Sequence, residues 1–484
     1  MRRPLAETGE GDQRPGEARA GQSLPGQFTG VLVERGEPGY EEARIGRIFN
    51  GRHPGRFPAA VLLAETEDDI VAGVRLANAR ESPVSVRSGG HSWAAWSVRD
   101  DALLIDLGGL RDIAYDPATG IAAVHPAVRG GTELAPYLAA RGRAFPGGHC
   151  ESVGLGGYLL QGGQGWNGRA WGWACENVTG IDAITADGRQ VHADATENAD
   201  LYWAARGAGP GFPALVTRFY LRTHPQPPVM MQDTWTFPVE AAGPLLAWLH
   251  DILPGLDRTV EPVVAATRLP DVPLGAGVVR PAGPVLLLHT TVMGDYAGQV
   301  ETRLAAFDAS PLAGQALGHV RGLTSIELEN AAQRAQNPPG YRYLVDCAWS
   351  DAPAAELAPR LERIWTELPT EHSFSIWYGW APGRPLPDMA FSVEAQVYLA
   401  TYVIYTDEAD DGRYADWVHS RTRDLAQAGC GVYLGDTDFQ RRHDRFVSDE
   451  AYRRLADVRA TWDPEGRFCS YLGGAPGRLN ERQG

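Results

Sequence analysis

A histidine and a cysteine stand fifty-nine positions apart, each in a glycine-rich run. His91 closes Val86-Arg87-Ser88-Gly89-Gly90-His91-Ser92, and Cys150 opens the second half of Gly147-Gly148-His149-Cys150-Glu151-Ser152-Val153-Gly154-Leu155-Gly156-Gly157. An imidazole nitrogen and a thiolate can each bond covalently to an electrophilic carbon of a bound group. Either run alone is weak, because Gly-Gly-His occurs by chance and a lone Cys is more often a small buried hydrophobe. The glycines add a second chemistry. Successive backbone N–H groups in a concave turn hold a pyrophosphate where a side chain would block its approach, and Ser88-Gly89-Gly90 reads that way ahead of an ordinary tight turn. The dinucleotide fingerprint of a Rossmann fold is absent: Gly154-x-Gly156-Gly157 lacks a glycine three positions after Gly156, and Gly207-x-Gly209-x-Gly211 has the wrong spacing and follows a helical pattern.

The elements that must position these runs are legible upstream. The apolar run Ala59 to Ala64 predicts a strand, and Thr66-Glu67-Asp68-Asp69 opens a helical pattern with Ile70, Val74 and Ala77 on one face. Thr66 is its N-cap, with Asp69 three residues on. Val84-Ser85-Val86 predicts a strand whose end delivers the turn before His91. Leu103 to Leu107 and Ile121 to Val124 predict further strands, and Thr132 is expected to cap a short helix through Ala140 that Gly142 ends.

A chain of 484 residues, 44% hydrophobic, can bury two sizeable cores. Its net charge of -16 argues against nucleic acid or an anionic membrane as partner. All 44 basic residues are arginine, a codon-usage mark of a GC-rich genome, and an actinobacterial source is expected. The first residues, rich in Gly, Pro, Glu and Arg, predict a disordered tail over 1–27 and not a signal peptide. No apolar run is long enough to span a bilayer. The five cysteines, Cys150, Cys175, Cys347, Cys430 and Cys469, are scattered without Cys-x-x-Cys spacing, which indicates neither a disulfide framework nor a zinc site and fits a soluble cytoplasmic protein.

Taken together, in this order and with these glycines, the two runs resemble the berberine bridge enzyme-like branch of the vanillyl-alcohol oxidase/p-cresol methylhydroxylase flavoproteins. The resemblance continues through Gly162-Gly163-Gln164-Gly165-Trp166, Ala174-Cys175-Glu176-Asn177-Val178, Thr185-Ala186-Asp187-Gly188 and Asp200-Leu201-Tyr202-Trp203-Ala204-Ala205-Arg206-Gly207, then returns at Ala451 to Leu455 and Asp463 to Phe468. It implies an α+β chain with a p-cresol methylhydroxylase-type FAD-binding domain over 28–225. A mixed α/β substrate domain, an antiparallel sheet covered by helices, follows over 226–445, and 446–484 returns to the FAD domain. It also implies FAD attached twice, through His91 and Cys150, with Arg87, Ser88, Gly89, Gly90, Ser92, Val153, Gly154, Gly156, Gly157, Tyr158, Gly162 and Val216 around it. Val153 falls where relatives place a gatekeeper for dioxygen, and Tyr158 beside the pyrimidine edge. The implied activity is hydride transfer from an alcohol or amine carbon of a secondary metabolite, with dioxygen as acceptor. A carbohydrate oxidase, or a non-redox cyclase or ligand-binding flavoprotein, is the alternative. A monomer or homodimer acting on a small molecule is expected.

The middle region predicts strands over Val285 to Val292, Ser373 to Tyr378 and Glu394 to Tyr402, with helices over Ala354 to Leu368 and Tyr414 to Ala428. In the family such a sheet roofs the flavin, which makes Tyr341, Tyr343, Tyr378, Glu394, Gln396 and Tyr398 candidates to touch substrate. Alternation puts Glu394, Gln396, Tyr398 and Tyr402 on one face. Trp166, Trp171 and Trp173 read as core packing, and Cys175 as structural. Relatives usually carry Tyr-x-Asn-Tyr-x-Asp before the final helix, where this chain has Tyr433-Leu434-Gly435-Asp436-Thr437-Asp438. Asp436 then takes the place of a tyrosine that belongs to the acid–base machinery, and a carboxylate there is a candidate base. Tyr433, Glu394 and Tyr378 are the other catalytic candidates, and a turn residue facing water is the alternative for Asp436.

Overall fold

The structure, a computed structural model, describes residues 28–269 and 283–472. The tail expected over 1–27 and the end of the return segment lie outside the described residues. The apolar run becomes the strand Ala60–Leu63, inside a four-stranded sheet ordered Val31–Glu34, Ala60–Leu63, Leu103–Asp106, Val84–Arg87. Ala60–Leu63 and Val84–Arg87 both pair parallel to Leu103–Asp106. The helix Glu67–Ala79 starts as its sequence predicts: Thr66 Oγ1 accepts from the Asp69 N–H, and the Asp69 carboxylate accepts from the Thr66 N–H. Ile70, Val74 and Ala77 bury against the sheet, which fixes the strand end from which Ser88-Gly89-Gly90-His91 departs.

A second, antiparallel sheet follows in the order Ile113–Asp116, Ile121–Val124, Leu215–Arg222, Val178–Ile184, Gln190–Asp194. Between its strands the expected helix begins earlier than Thr132. A π-turn, Gly130–Leu134, leads into Ala135–Ala139, and the Glu133 carboxylate, not Thr132, accepts from the backbone N–H of Arg129 at 2.7 Å. Gly142 ends it at a φ of +65°.

The third sheet has seven antiparallel strands ordered Gly318–Leu323, Val229–Pro238, Val285–Gly294, Val260–Thr267, Phe374–Gly379, Val397–Tyr405, Arg342–Ser350. Helices Ala242–Ile252, Ala297–Asp308 and Ala354–Thr366 bury Leu245, Leu304, Leu357 and Leu361 against Phe237, Leu288, Trp377 and Leu399 on one face. Asp411–Ala426 completes that layer. The strand expected from Glu394 begins at Val397 instead. The Gln396 carbonyl accepts from the N–H groups of Trp380 and Ala381, and its own N–H goes to Asp351, so the regular ladder starts one residue later. Helix Asp449–Trp462, capped by Ser448, packs against Ala199–Ala205, and the chain beyond it joins the first sheet: the Val84 N–H donates to the Arg467 carbonyl and the Cys469 N–H to the Val84 carbonyl, each at 2.8 Å. Among the described residues no helix is long and apolar enough to cross a membrane.

Candidate active site

Beneath the uncovered face of the seven-stranded sheet lies a cavity of about 820 Å³, within the range of cofactor and small-molecule sites. Both glycine-rich runs enter it, and they do so by crossing backbone to backbone. A Cβ on Gly89 would stand 2.5 Å from the Gly154 nitrogen, and one on Gly154 2.7 Å from the Gly89 Cα. These two glycines therefore serve the contact between the loops. Gly157 differs, since a Cβ there would meet nothing within 4 Å and would project into open space. Gly89→Ala is expected to destabilise the protein by about 1–3 kcal/mol, the usual range for overpacking. Thermal unfolding checks this, and an unchanged midpoint contradicts the crossing.

His91 stacks on Phe49 with centroids 4.4 Å apart and planes at 21°. Ser152 Oγ lies 3.1 Å from His91 Nε2 and 3.8 Å from Cys150 Sγ, so one hydroxyl bridges the two nucleophiles. Burial lowers the imidazole to about 4, which keeps it neutral with a lone pair available, and burial pushes the Cys150 thiol up, with Ser152 opposing. Ser88, Gly90, Ser92, Val153, Gly156, Tyr158 and Val216 line the same cavity. Tyr158 is fixed by its hydroxyl, which donates to the Pro146 carbonyl at 2.7 Å. Arg87 reaches the cavity but its guanidinium is spent on the fold, donating to Asp106 and to the Arg44 carbonyl, each at 2.5 Å. Gly162 is not among the lining residues; a Cβ there would meet the Phe391 ring at 2.9 Å, so its missing side chain serves packing.

Of the catalytic candidates, Asp436, Tyr433 and Tyr378 line the cavity and Glu394 does not. Asp436 sits on the turn Leu434–Asp436, held beside the edge strand by the Trp349 N–H to Gly431 carbonyl bond and its reciprocal at Cys430. It is no water-facing turn residue: its carboxylate accepts from Trp93 Nε1 at 3.0 Å and from the hydroxyls of Tyr398 at 2.6 Å and Tyr402 at 2.9 Å. Burial, and then Asp436, raise both phenols well above their ordinary range. Tyr433 accepts from the Gly163 N–H at 3.2 Å. Tyr378 donates to the buried Glu261 at 2.9 Å, whose carboxyl burial raises. Glu394 is instead the shared acceptor of the Trp173 and Trp380 indoles, at 2.8 and 2.7 Å. Gln396 is exposed, and Tyr341 meets His372 at 5.0 Å away from the cavity. Tyr343 packs between Phe49 and Trp93. Trp173 and Cys175 are core residues, Trp166 is buried beside Met230 and Met293 as expected, with Trp171 packed there and stacked on His224, and Trp166 also lines the cavity, its indole donating to Asn330 at 3.1 Å.

Among the lining residues that escaped the sequence reading are Gln164, His149, His289, Glu329, Trp93 and Glu261. Gln164 had a signal, since it interrupts the glycine run 162–165, and its buried Nε2 has no partner among the described residues.

A sequence profile described as an FAD binding domain matches residues 58–194, which hold both glycine-rich runs. The FAD-linked oxidoreductase nodO of Hypoxylon pulicicidum is 37% identical over 431 residues, covering 89% of this chain and 94% of that protein. The chain belongs to the FAD-linked oxidoreductases. A carbohydrate oxidase of Microdochium nivale is 39% identical to this oxidoreductase over only 186 residues, 38% of this chain and 37% of that protein. In fold the oxidoreductase resembles 6-hydroxy-D-nicotine oxidase from Arthrobacter nicotinovorans, with a TM-score of 0.77 at 22% identity, covering 92% and 98% of the two chains. Both named sequence relatives are fungal and lend no support to an actinobacterial source. The α+β architecture with its FAD-binding domain stands as expected. FAD fits the residues present, because the orphaned Gln164 amide offers a buried donor to a ring acceptor and Gly157 leaves a cradle that a side chain would fill.

Proposed function

We propose that this FAD-linked oxidoreductase is an oxidase that holds FAD by two bonds, through His91 and Cys150, and oxidises an alcohol or amine carbon of a small secondary metabolite with dioxygen as acceptor. The observation that carries it is the meeting, in one cavity, of a neutral imidazole and a thiol bridged by Ser152 with a carboxylate gathered by two phenols. In this reading 28–225 binds the cofactor, 226–445 roofs it, the rest returns to the first part, and the protein works in the cytoplasm as a monomer or homodimer. Ser152 occupies His91 Nε2, which leaves Nδ1 for the cofactor's methyl group.

FAD bound there supplies a two-electron acceptor for the hydride of the substrate carbon, and dioxygen takes those electrons on to hydrogen peroxide. The chain's part is the proton. Both Asp436 oxygens are engaged by donors, so the hydroxyl proton of the substrate passes to Asp436 through the phenol oxygen of Tyr398 or Tyr402. Tyr433, held on the Gly163 N–H, closes the floor behind them. A sugar is the weaker reading of the substrate, because Val263, Ala265, Leu287 and Ile376 give the roof an apolar middle and the likeness to a carbohydrate oxidase covers little more than a third of the chain. Screening alcohol-bearing metabolites for peroxide release tests the reading, and product formed without peroxide or loss of flavin colour favours a non-redox role.

Val153 lines the cavity two residues after the thiol's neighbour Glu151, with its N–H on the Cys150 carbonyl at 3.2 Å. Val153→Ile is expected to slow reoxidation by dioxygen while leaving anaerobic reduction nearly unchanged. Stopped-flow mixing of reduced enzyme with oxygen reads this, and equal rates in the two proteins remove the gatekeeper role.

A further inference from the structure

The roof of the cavity carries one row of side chains across five strands. Thr234 pairs with His289, His289 with Val263, Val263 with Tyr378, and Tyr378 with Tyr398. Directly paired residues project to the same face of a sheet, and all five line the cavity. Three strand spacings of about 4.8 Å separate His289 from Tyr398, so these two residues stand about 14 Å apart. Tyr398 carries the Asp436 group at one end. The other end is polar too. His289 contacts Thr234 Oγ1 through Nδ1 at 2.8 Å and Glu329 through Nε2 at 3.0 Å, and Glu329 accepts from Thr324 at 2.6 Å.

His149 enters at this second end, from the loop that carries Cys150. Its ring lies edge-on to Trp166 at 4.3 Å and to Tyr378 at 6.5 Å, near Glu329 and His289. It is half-buried and lines the cavity, and no hydrogen bond from the described residues reaches either ring nitrogen. A ring that faces a cavity with both nitrogens unpaired is free to meet a polar atom of a ligand. Burial lowers its imidazole to about 4, so at neutral pH it offers one donor and one acceptor and no charge. His289 and Glu329 already hold each other at 3.0 Å. What this end leaves open is the uncharged His149 ring, which suits a neutral oxygen.

We propose that His149, backed by the His289–Glu329 pair, forms a second anchoring subsite that takes a neutral hydroxyl or carbonyl oxygen at the far end of an elongated, otherwise apolar substrate. This rests on the cavity being the substrate site of the proposed oxidation. Anchored at both ends, the substrate presents its reacting carbon in one register, so His149 is a specificity-determining residue and takes no part in proton removal.

The test uses the yellow holoenzyme and two probes that it cannot oxidise further: a saturated four-ring steroid with a ketone at one end, and the same skeleton with ketones at both ends. Binding is read as a shift in flavin absorbance. The diketone is expected to bind about ten-fold more tightly, the worth of one added hydrogen bond at the upper end of its usual range. His149→Phe, which keeps the ring contact with Trp166, is expected to bring the two affinities together without altering flavin content or the monoketone affinity. Equal affinities in the wild type overturn the proposal without any variant, and so does a diketone advantage that survives in His149→Phe or His149→Leu. A wild type that shows no spectral shift with either probe, yet bleaches with a screened alcohol, overturns the subsite alone. Failure of both shift and bleaching overturns the reading of the cavity.

Discussion

After precipitation in acid, the wild-type polypeptide is expected to keep its yellow colour, as the proposed attachment of the flavin through two bonds requires. His91 and Cys150 enter one cavity and share a single hydroxyl, that of Ser152. His91→Ala is expected to retain the flavin through Cys150, and Cys150→Ala through His91. The double replacement is expected to release all of it, a change from complete retention to none. Intact mass under denaturing conditions reads each case. A wild type that gives up its colour to acid contradicts the double attachment while leaving FAD binding in place.

Asp436→Asn is expected to lower the anaerobic rate of flavin reduction by about a hundred-fold to ten-thousand-fold, the usual loss when a positioned proton acceptor is removed. The amide is nearly isosteric and its oxygen can still accept from Trp93. Its NH2 group cannot accept from Tyr398 or Tyr402, so the loss reports the missing charge together with the missing acceptor of the two phenols. A variant that reduces as fast as wild type across the pH range would move the proton to Glu261, through Tyr378, or to Tyr433.

What the sequence made legible was local. Thr66 and Asp69 lie three residues apart, so their capping box needs no tertiary information, and the helix started where it was expected. The two glycine runs were found by their own residues, although the reason for Gly89 and Gly154 is each other, a contact between segments that no spacing encodes. Asp436 was placed by its position relative to Tyr433, and Tyr398 and Tyr402 by strand alternation; what the sequence could not supply was their meeting at Asp436, or Trp93, which reaches it from a further segment. Alternation failed at Glu394 for a similar reason. It extended a strand backwards through residues whose backbone and side-chain partners, Trp380 above all, come from elsewhere in the chain. His149 was hidden by its neighbour: a histidine beside a reactive cysteine reads as part of the loop until the row His289–Val263–Tyr378 is set above it by sheet register.

The account turns on flavin as the electron acceptor inside this cavity. Oxygen-free mixing of the wild-type holoenzyme with the alcohol that gives peroxide in the screen tests it most directly. The flavin absorbance is expected to bleach in a single turnover with one equivalent of oxidised product, and to return when oxygen is admitted, with one equivalent of peroxide. Product formed while the yellow colour stays unchanged would contradict it.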